Sequence, residues 1–181
     1  MALKATIYTA DLQVVDVDRH HYADYALTIA RHPSETDERL MVRLLAFALF
    51  ARDGLDVGRG LSTDDDADLW QRDLTGAIDL WIDVGQPDER AIRKACGRAR
   101  EVVVLSYGGL TADPWWGRVR SALARCDNLV VRHVPGAASL ALAALAQRSL
   151  SLQCTIHDGA VTMADETRHV EVPLLALWPE R

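Results

Sequence analysis

Cysteine is scarce in this chain: Cys96, Cys126 and Cys154 lie far apart, with no Cys-x-x-Cys pair among them. An odd and scattered set excludes a disulfide framework and a zinc knuckle, so free, buried thiols are expected. Long apolar runs are missing as well. Met1 to Val17 is broken by Lys4, Asp11 and Asp16, and no stretch reaches the roughly 20 apolar residues that span a bilayer. The chain therefore reads as cytoplasmic, with no membrane partner. Positive charge is in deficit, 20 Lys and Arg against 26 Asp and Glu, for a net charge of −6. This balance excludes a protein that coats nucleic acid through a broad basic surface and leaves only local contact. No internal repeat or low-complexity linker divides the chain. What is there is 49% hydrophobic over 181 residues, enough to bury a sizeable core within a single domain, residues 1–181.

The two ends read as β-structure. From Leu3 to Val15 apolar residues alternate, but Leu3, Ala5 and Ile7 have one parity and Leu12 and Val14 the other, which predicts a bulge or change of face near Thr9 to Asp11. Tyr22 to Ala30 returns antiparallel with Tyr25, Leu27 and Ile29 on one side. Leu150 to His157 and Ala160 to Met163 flank Asp158-Gly159, a strong hairpin signal, and His169 to Trp178 supplies one more strand. Residues 1–31 and 148–179 are thus expected to share a second, antiparallel sheet beside a core spanning about 34–135.

That core alternates strands and helices. A first helix is expected from a Ser34 cap, with Asp37 in the third position, through Met41, Leu44, Leu45 and Ala48 to Asp53-Gly54. Short strands follow at Leu55–Gly60 and Asp68–Arg72. The Leu74-Thr-Gly76 turn then leads to Ala77–Val84, which carries Asp79, Trp81 and Asp83 on one face. Asp88 caps a helix through Arg100, and Glu101–Ser106 reads as a buried strand. Asp113 as cap and Pro114 as first residue open another helix before strand Asn128–Val134, and Ala137–Gln147 forms a short alanine-rich one. The strand–helix–strand units favour parallel pairing, so the fold class is mixed α/β.

Chemistry concentrates between Ser62 and Asp83, where seven aspartates face a single arginine. Metal-assisted phosphodiester cleavage needs two or more carboxylate oxygens around a hard cation and a positive group to orient water or offset charge at phosphorus. Asp68 and Asp83, on the arms of one hairpin, meet the first demand. Glu38 in the first helix is a further carboxylate, or else the partner of Arg39 or Arg43. Lys94 lies in the second turn of the next helix, either reaching back to the strand end or on a solvated face. Asp79 competes with Asp68, since it shares a strand face with Asp83. Other conspicuous residues read as structural: His20-His21 as a surface turn, and Trp115-Trp116 as a helix-to-sheet anchor rather than a base-stacking platform.

The runs ARHPSETDER, DLWIDVGQPDER and IRKAC, with the overall length and strand order, resemble the YaeQ family of bacterial proteins across essentially the whole chain. The resemblance implies a variant of the PD-(D/E)XK, restriction-endonuclease-like fold around a metal-dependent phosphodiesterase site. Carried over by position, Asp68 is its first aspartate and Asp83 its second acidic residue, the two ligands of Mg²⁺ or Mn²⁺, and Glu38 is the helix carboxylate. Two positions depart from the pattern: Ala67 stands where it has proline, and Gly85 where it has lysine. In some relatives the cation comes from the following helix, so Lys94 is the expected replacement, with Arg93 or Arg90 as substitutes and Gln86 as a polar ligand. The contrasting expectation is a catalytically silent nuclease fold that binds nucleic acid or a protein partner.

Overall fold

The computed structural model describes residues 4–58 and 65–180, in which two mixed sheets alternate with two pairs of helices. One sheet has the order β10-β9-β8-β1-β2, from β1 (Thr6–Asp16), β2 (His21–Arg31), β8 (Ser149–His157), β9 (Ala160–Ala164) and β10 (His169–Val172). The other runs β11-β7-β6-β5-β4-β3, from β3 (Leu55–Val57), β4 (Leu69–Arg72), β5 (Ile78–Val84), β6 (Ala99–Gly108), β7 (Leu129–Pro135) and β11 (Leu175–Trp178). Between the sheets lie α1 (Asp37–Phe50) and α4 (Gly136–Ala143). The far face of the six-stranded sheet carries α2 (Glu89–Arg98) and α3 (Ala112–Leu123). Among the described residues no helix is long and apolar enough to cross a membrane.

The central helix explains this layering. Every residue from Leu40 to Ala48 is buried, Arg43 included. A helix apolar around its whole circumference must be covered on all sides, and here one sheet covers each side. Strands β5, β6 and β7 are parallel, linked through α2 and α3, while β4 and β11 join antiparallel at the two sides. The parallel strands are correspondingly apolar on both faces, as in Val102 to Leu105.

Several local expectations change. Strand β1 pairs with β2 in one unbroken register from Thr6↔Arg31 to Asp16↔His21, so no bulge occurs. Tyr8, Ala10, Leu12 and Val14 face inward, and Ile7 is left exposed. The ring of Tyr8 can serve as core because its hydroxyl accepts a 2.8 Å hydrogen bond from Arg31. Leu3 lies outside the described residues.

The sheet of terminal strands is mixed, because β1 and β8 run parallel. Only strands joined by tight turns, β1–β2 and β8–β9 among them, are obliged to be antiparallel. In the β8–β9 turn Asp158 and Gly159 both have positive φ, 50° and 76°, the conformation of a two-residue hairpin. The expected strand His169–Trp178 is split at Pro173, which has no N–H to donate to a ladder, and its second half crosses to pair with β7.

Helix α1 is capped by Thr36, whose hydroxyl accepts from Arg39 N–H, and not by Ser34, whose hydroxyl is within 2.7 Å of His32 instead. In α3 the cap position is Thr111, which places Asp113 and Pro114 inside the first turn. Asp88 caps α2 as expected, its carboxylate 2.8 Å from Ala91 N–H, although that helix yields to β6 at Ala99. The alanine-rich helix stops at Ala143. Trp115 anchors helix to loop through its indole N–H, which donates to the carbonyl of Pro87 at 2.7 Å. All three cysteines are free, but only Cys154 is buried, and Cys96 and Cys126 are partly exposed.

Candidate functional site

Asp68 and Asp83 meet where the β4–β5 ladder opens. The last regular pair at that end is Leu69↔Ile82, so the next two residues exchange side-chain for backbone bonds. Asp68 Oδ2 accepts from the N–H of Val84 at 2.7 Å, and the Asp83 carboxylate is reached by the backbone N–H of Asp68. Both residues are buried, at 1% and 7% exposure.

Their electrostatic settings differ. Asp68 Oδ1 accepts from Arg39 Nη2 at 2.6 Å, a charge-assisted bond across from the first turn of α1. Asp83 has no cationic partner among the described residues, and its Oδ1 is buried without a hydrogen bond. Burial pushes its carboxyl up to about 7. The Trp81 indole N–H, the backbone N–H of Asp68 and the charge of Arg39 pull the other way, and the charge of Asp68 adds to the rise. Trp81 Nε1, two residues earlier on the same strand face, is likewise buried and lies outside hydrogen-bond geometry. One of the two acids is thus paired with a cation, and burial disfavours the charge of the other.

The remaining candidates are dispersed. Lys94 is half-exposed and its ammonium is paired with Asp65, whose carboxyl that contact holds below the ordinary range. Arg93 pairs with Glu89 at 3.0 Å along its own helix, and Arg90 is exposed. Gln86 donates to the carbonyl of Tyr107 at 3.1 Å. Asp79 sits at the other end of β5, 2.8 Å from Arg100. Glu38 accepts a 2.5 Å hydrogen bond from Ser139 of α4 and pairs with neither Arg39 nor Arg43. Those arginines converge on Glu35, which precedes the helix: Arg43 Nη1 reaches its two oxygens at 3.0 and 3.1 Å, and Arg39 Nη1 reaches Oε1 at 3.2 Å.

The positive group beside the carboxylate pair is therefore Arg39, delivered from α1. Gly85 accounts for the absence of a strand lysine. Its φ of 110° is a conformation that side-chain-bearing residues rarely adopt, and Tyr107 packs over the position where a Cβ would stand.

Gly58 fixes the loop that carries Asp68. Its N–H donates to the Asp68 carbonyl at 2.7 Å, and a Cβ there would fall 2.4 Å from the Ala67 carbonyl oxygen. Because the obstacle is backbone, no side-chain rotation relieves it. Gly58→Ala is expected to lower stability by about 1–3 kcal/mol in urea titration and to weaken the Asp68–Arg39 contact, read as a shifted Arg39 Nε–H resonance.

The same architecture recurs in known proteins. The YaeQ protein family model matches residues 1–174. Two relatives, each described as uncharacterized protein YaeQ, come from Salmonella typhi and Escherichia coli strain K12. They are 45% and 44% identical over 180 residues, covering 99% of this chain and 99% of each relative. The crystal structure of YaeQ from Xanthomonas axonopodis pv. citri superposes with a TM-score of 0.92 at 53% identity, covering 96% of this chain and 98% of that one. That of YaeQ from Pseudomonas syringae gives 0.92 at 37% identity, with 97% of both chains covered. The buried Asp68–Asp83 pair thus belongs to a fold shared along the full length of these proteins, and the chain is a member of the YaeQ family.

Proposed function

We propose that the chain is a divalent-metal-dependent phosphodiesterase of the PD-(D/E)XK nuclease-like type, acting at Asp68 and Asp83. The observation that carries this reading is the convergence of two buried carboxylates, one of which keeps an oxygen without a partner. Among the described residues no group of three or more His, Cys, Asp or Glu side chains is arranged to hold a metal. The donor set nevertheless fits Mg²⁺ or Mn²⁺, since such ions are commonly held by one or two carboxylates, with waters and substrate phosphates completing the shell. Asp83, through its free oxygen, and Asp68 would be the protein ligands. The bound ion would polarise the phosphoryl oxygen and acidify a water. Arg39 keeps Asp68 in place and supplies positive charge beside the phosphate, the part expected of Lys94, whose ammonium is engaged by Asp65.

Calorimetric titration with Mn²⁺ tests the reading, together with incubation of pooled single- and double-stranded DNA and RNA in Mg²⁺ and in Mn²⁺. Wild type should bind one ion, gain thermal stability from it and cleave at least one pool, and Asp83→Asn should do none of these while remaining folded. Equal cleavage by both forms, or no binding by wild type, defeats it. A second reading, a silent nuclease fold that works by binding, is favoured by one observation: Arg39 already answers the charge of Asp68 without any ion. It predicts partner binding indifferent to Mn²⁺ and to Asp83→Asn.

A further inference from the structure

Helices α2 and α3 cover the six-stranded sheet over β5, β6 and β7. The flanking strands β4 and β3 continue the same sheet face beyond them. Asp56, Trp70 and Trp81 form one cross-strand row there, Asp56 pairing with Trp70 and Trp70 with Trp81. Trp81 lies under α2, with the Arg98 guanidinium 5.1 Å over its ring, and it is buried. Trp70 meets it edge-on at 5.9 Å and is only partly covered. A groove of about 440 Å³ opens at this point, its walls including Asp56, Asp66, Ala67, Trp70 and Arg72.

The lining has a specific chemistry. Trp70 offers an aromatic face, on which Arg72 rests at 4.0 Å. Arg72 is exposed and forms no ion pair among the described residues, so the contact with Trp70 is the one a planar guest would share or displace. Asp56 and Asp66 supply hydrogen-bond acceptors at the rim and no donors when ionised. A flat π-system with an amino edge satisfies all three features: stacking on indole, a cation on its outer face, and N–H groups for the acids. Ala67 in the groove wall is followed in the chain by Asp68, and Trp81, which meets Trp70, lies two residues before Asp83 on the same strand.

We infer that this groove is a nucleobase subsite that seats an amino-bearing base, cytosine or a purine, on Trp70, with Asp56 and Asp66 reading the amino edge. The inference rests on the phosphodiesterase reading for its purpose and names the substrate as nucleic acid, gripped through one of its bases. The sheet at β3–β4 would then serve as the specificity surface of the site.

Cytidine and uridine make the test, because the exocyclic amine that offers the acids two N–H groups in one is replaced by a carbonyl in the other, which leaves only the single N3–H. Titrations followed by saturation-transfer NMR, without any divalent cation, give an answer independent of whether Asp68 and Asp83 hold an ion. Cytidine should bind with its base protons saturated more strongly than its ribose, and uridine should bind about tenfold more weakly, as expected when a carboxylate is left facing an acceptor. Trp70→Leu should abolish the effect. Should that variant prove misfolded by circular dichroism, Trp70→Phe, which keeps a stacking face, should retain binding and Asp56→Asn should narrow the preference for cytidine. Equal binding of the two nucleosides, ribose-centred saturation, or no binding by wild type would overturn the assignment. Cytidine binding without Mn²⁺ binding would leave the subsite standing and remove only the catalytic reading.

Discussion

Replacing Glu35 by glutamine is expected to lower the unfolding free energy by about 3–5 kcal/mol, the usual cost of removing one partner from a buried ion pair. The side chains of Glu35 and Arg43 are fully buried, and Arg43 occupies the middle of a helix enclosed by both sheets. Its other acceptors are the carbonyls of Ala30 and Gly58, each at a long 3.4 Å, and its Nε has none. Glutamine keeps the volume and one acceptor but not the charge, so the guanidinium would sit unneutralised in a low-dielectric core. The same carboxylate binds Arg39, so part of the loss should pass to Asp68. For a chain of this length the change corresponds to a fall in Tm of roughly 6–20 °C. Arg43→Met, which removes the charge that needs compensation, should cost less than Glu35→Gln in the same melts. The reverse order would mean that the carboxylate, not the arginine, is the isolated charge.

This network was legible only in part. Leu40 to Phe50 is apolar apart from Arg43, and a cation inside such a run implies an acid brought to it. Spacing offers Glu38, inside the helix, as that partner. With the cap at Thr36, Glu35 stands outside the helix and folds back over its first turns, which depends on the route of a short loop and not on periodicity. Helical phase did carry the answer for Lys94. Ile92 and Ala95 mark the buried side of α2, and Lys94 lies about 200° around from Ile92, facing outward. The alternation of β5 located Asp83, and the hairpin located Asp68, because both depend on local rules. Pairing direction between β1 and β8 was not accessible, since a period of two is common to parallel and antiparallel strands.

The sharpest consequence of the paired acids is that Asp83→Asn should stabilise the protein at pH 8. In the folded chain the Asp83 carboxyl is raised from 3.8 to about 7, with burial as the main cause. Below pH 3.8 it is protonated both folded and unfolded and has no effect on the pH dependence. Between 3.8 and 7 the unfolded chain has released that proton while the folded one retains it, so this group makes stability fall as pH rises. Above 7 both states are ionised and the loss is complete, on the order of 4 kcal/mol for a shift of this size. Asparagine has nearly the same shape and no charge to bury, so the variant should lack this fall, and urea titrations from pH 5 to 8 would show the two proteins diverging with wild type the less stable. Parallel curves would mean that Asp83 titrates as an ordinary carboxylate. On the phosphodiesterase reading a divalent ion at Asp83 would compete with the same proton, so Mn²⁺ should bind wild type more tightly as pH passes through 7 and recover much of the lost stability. Recovery of stability by Mn²⁺ would mark Asp83 as a position that serves binding at the expense of packing.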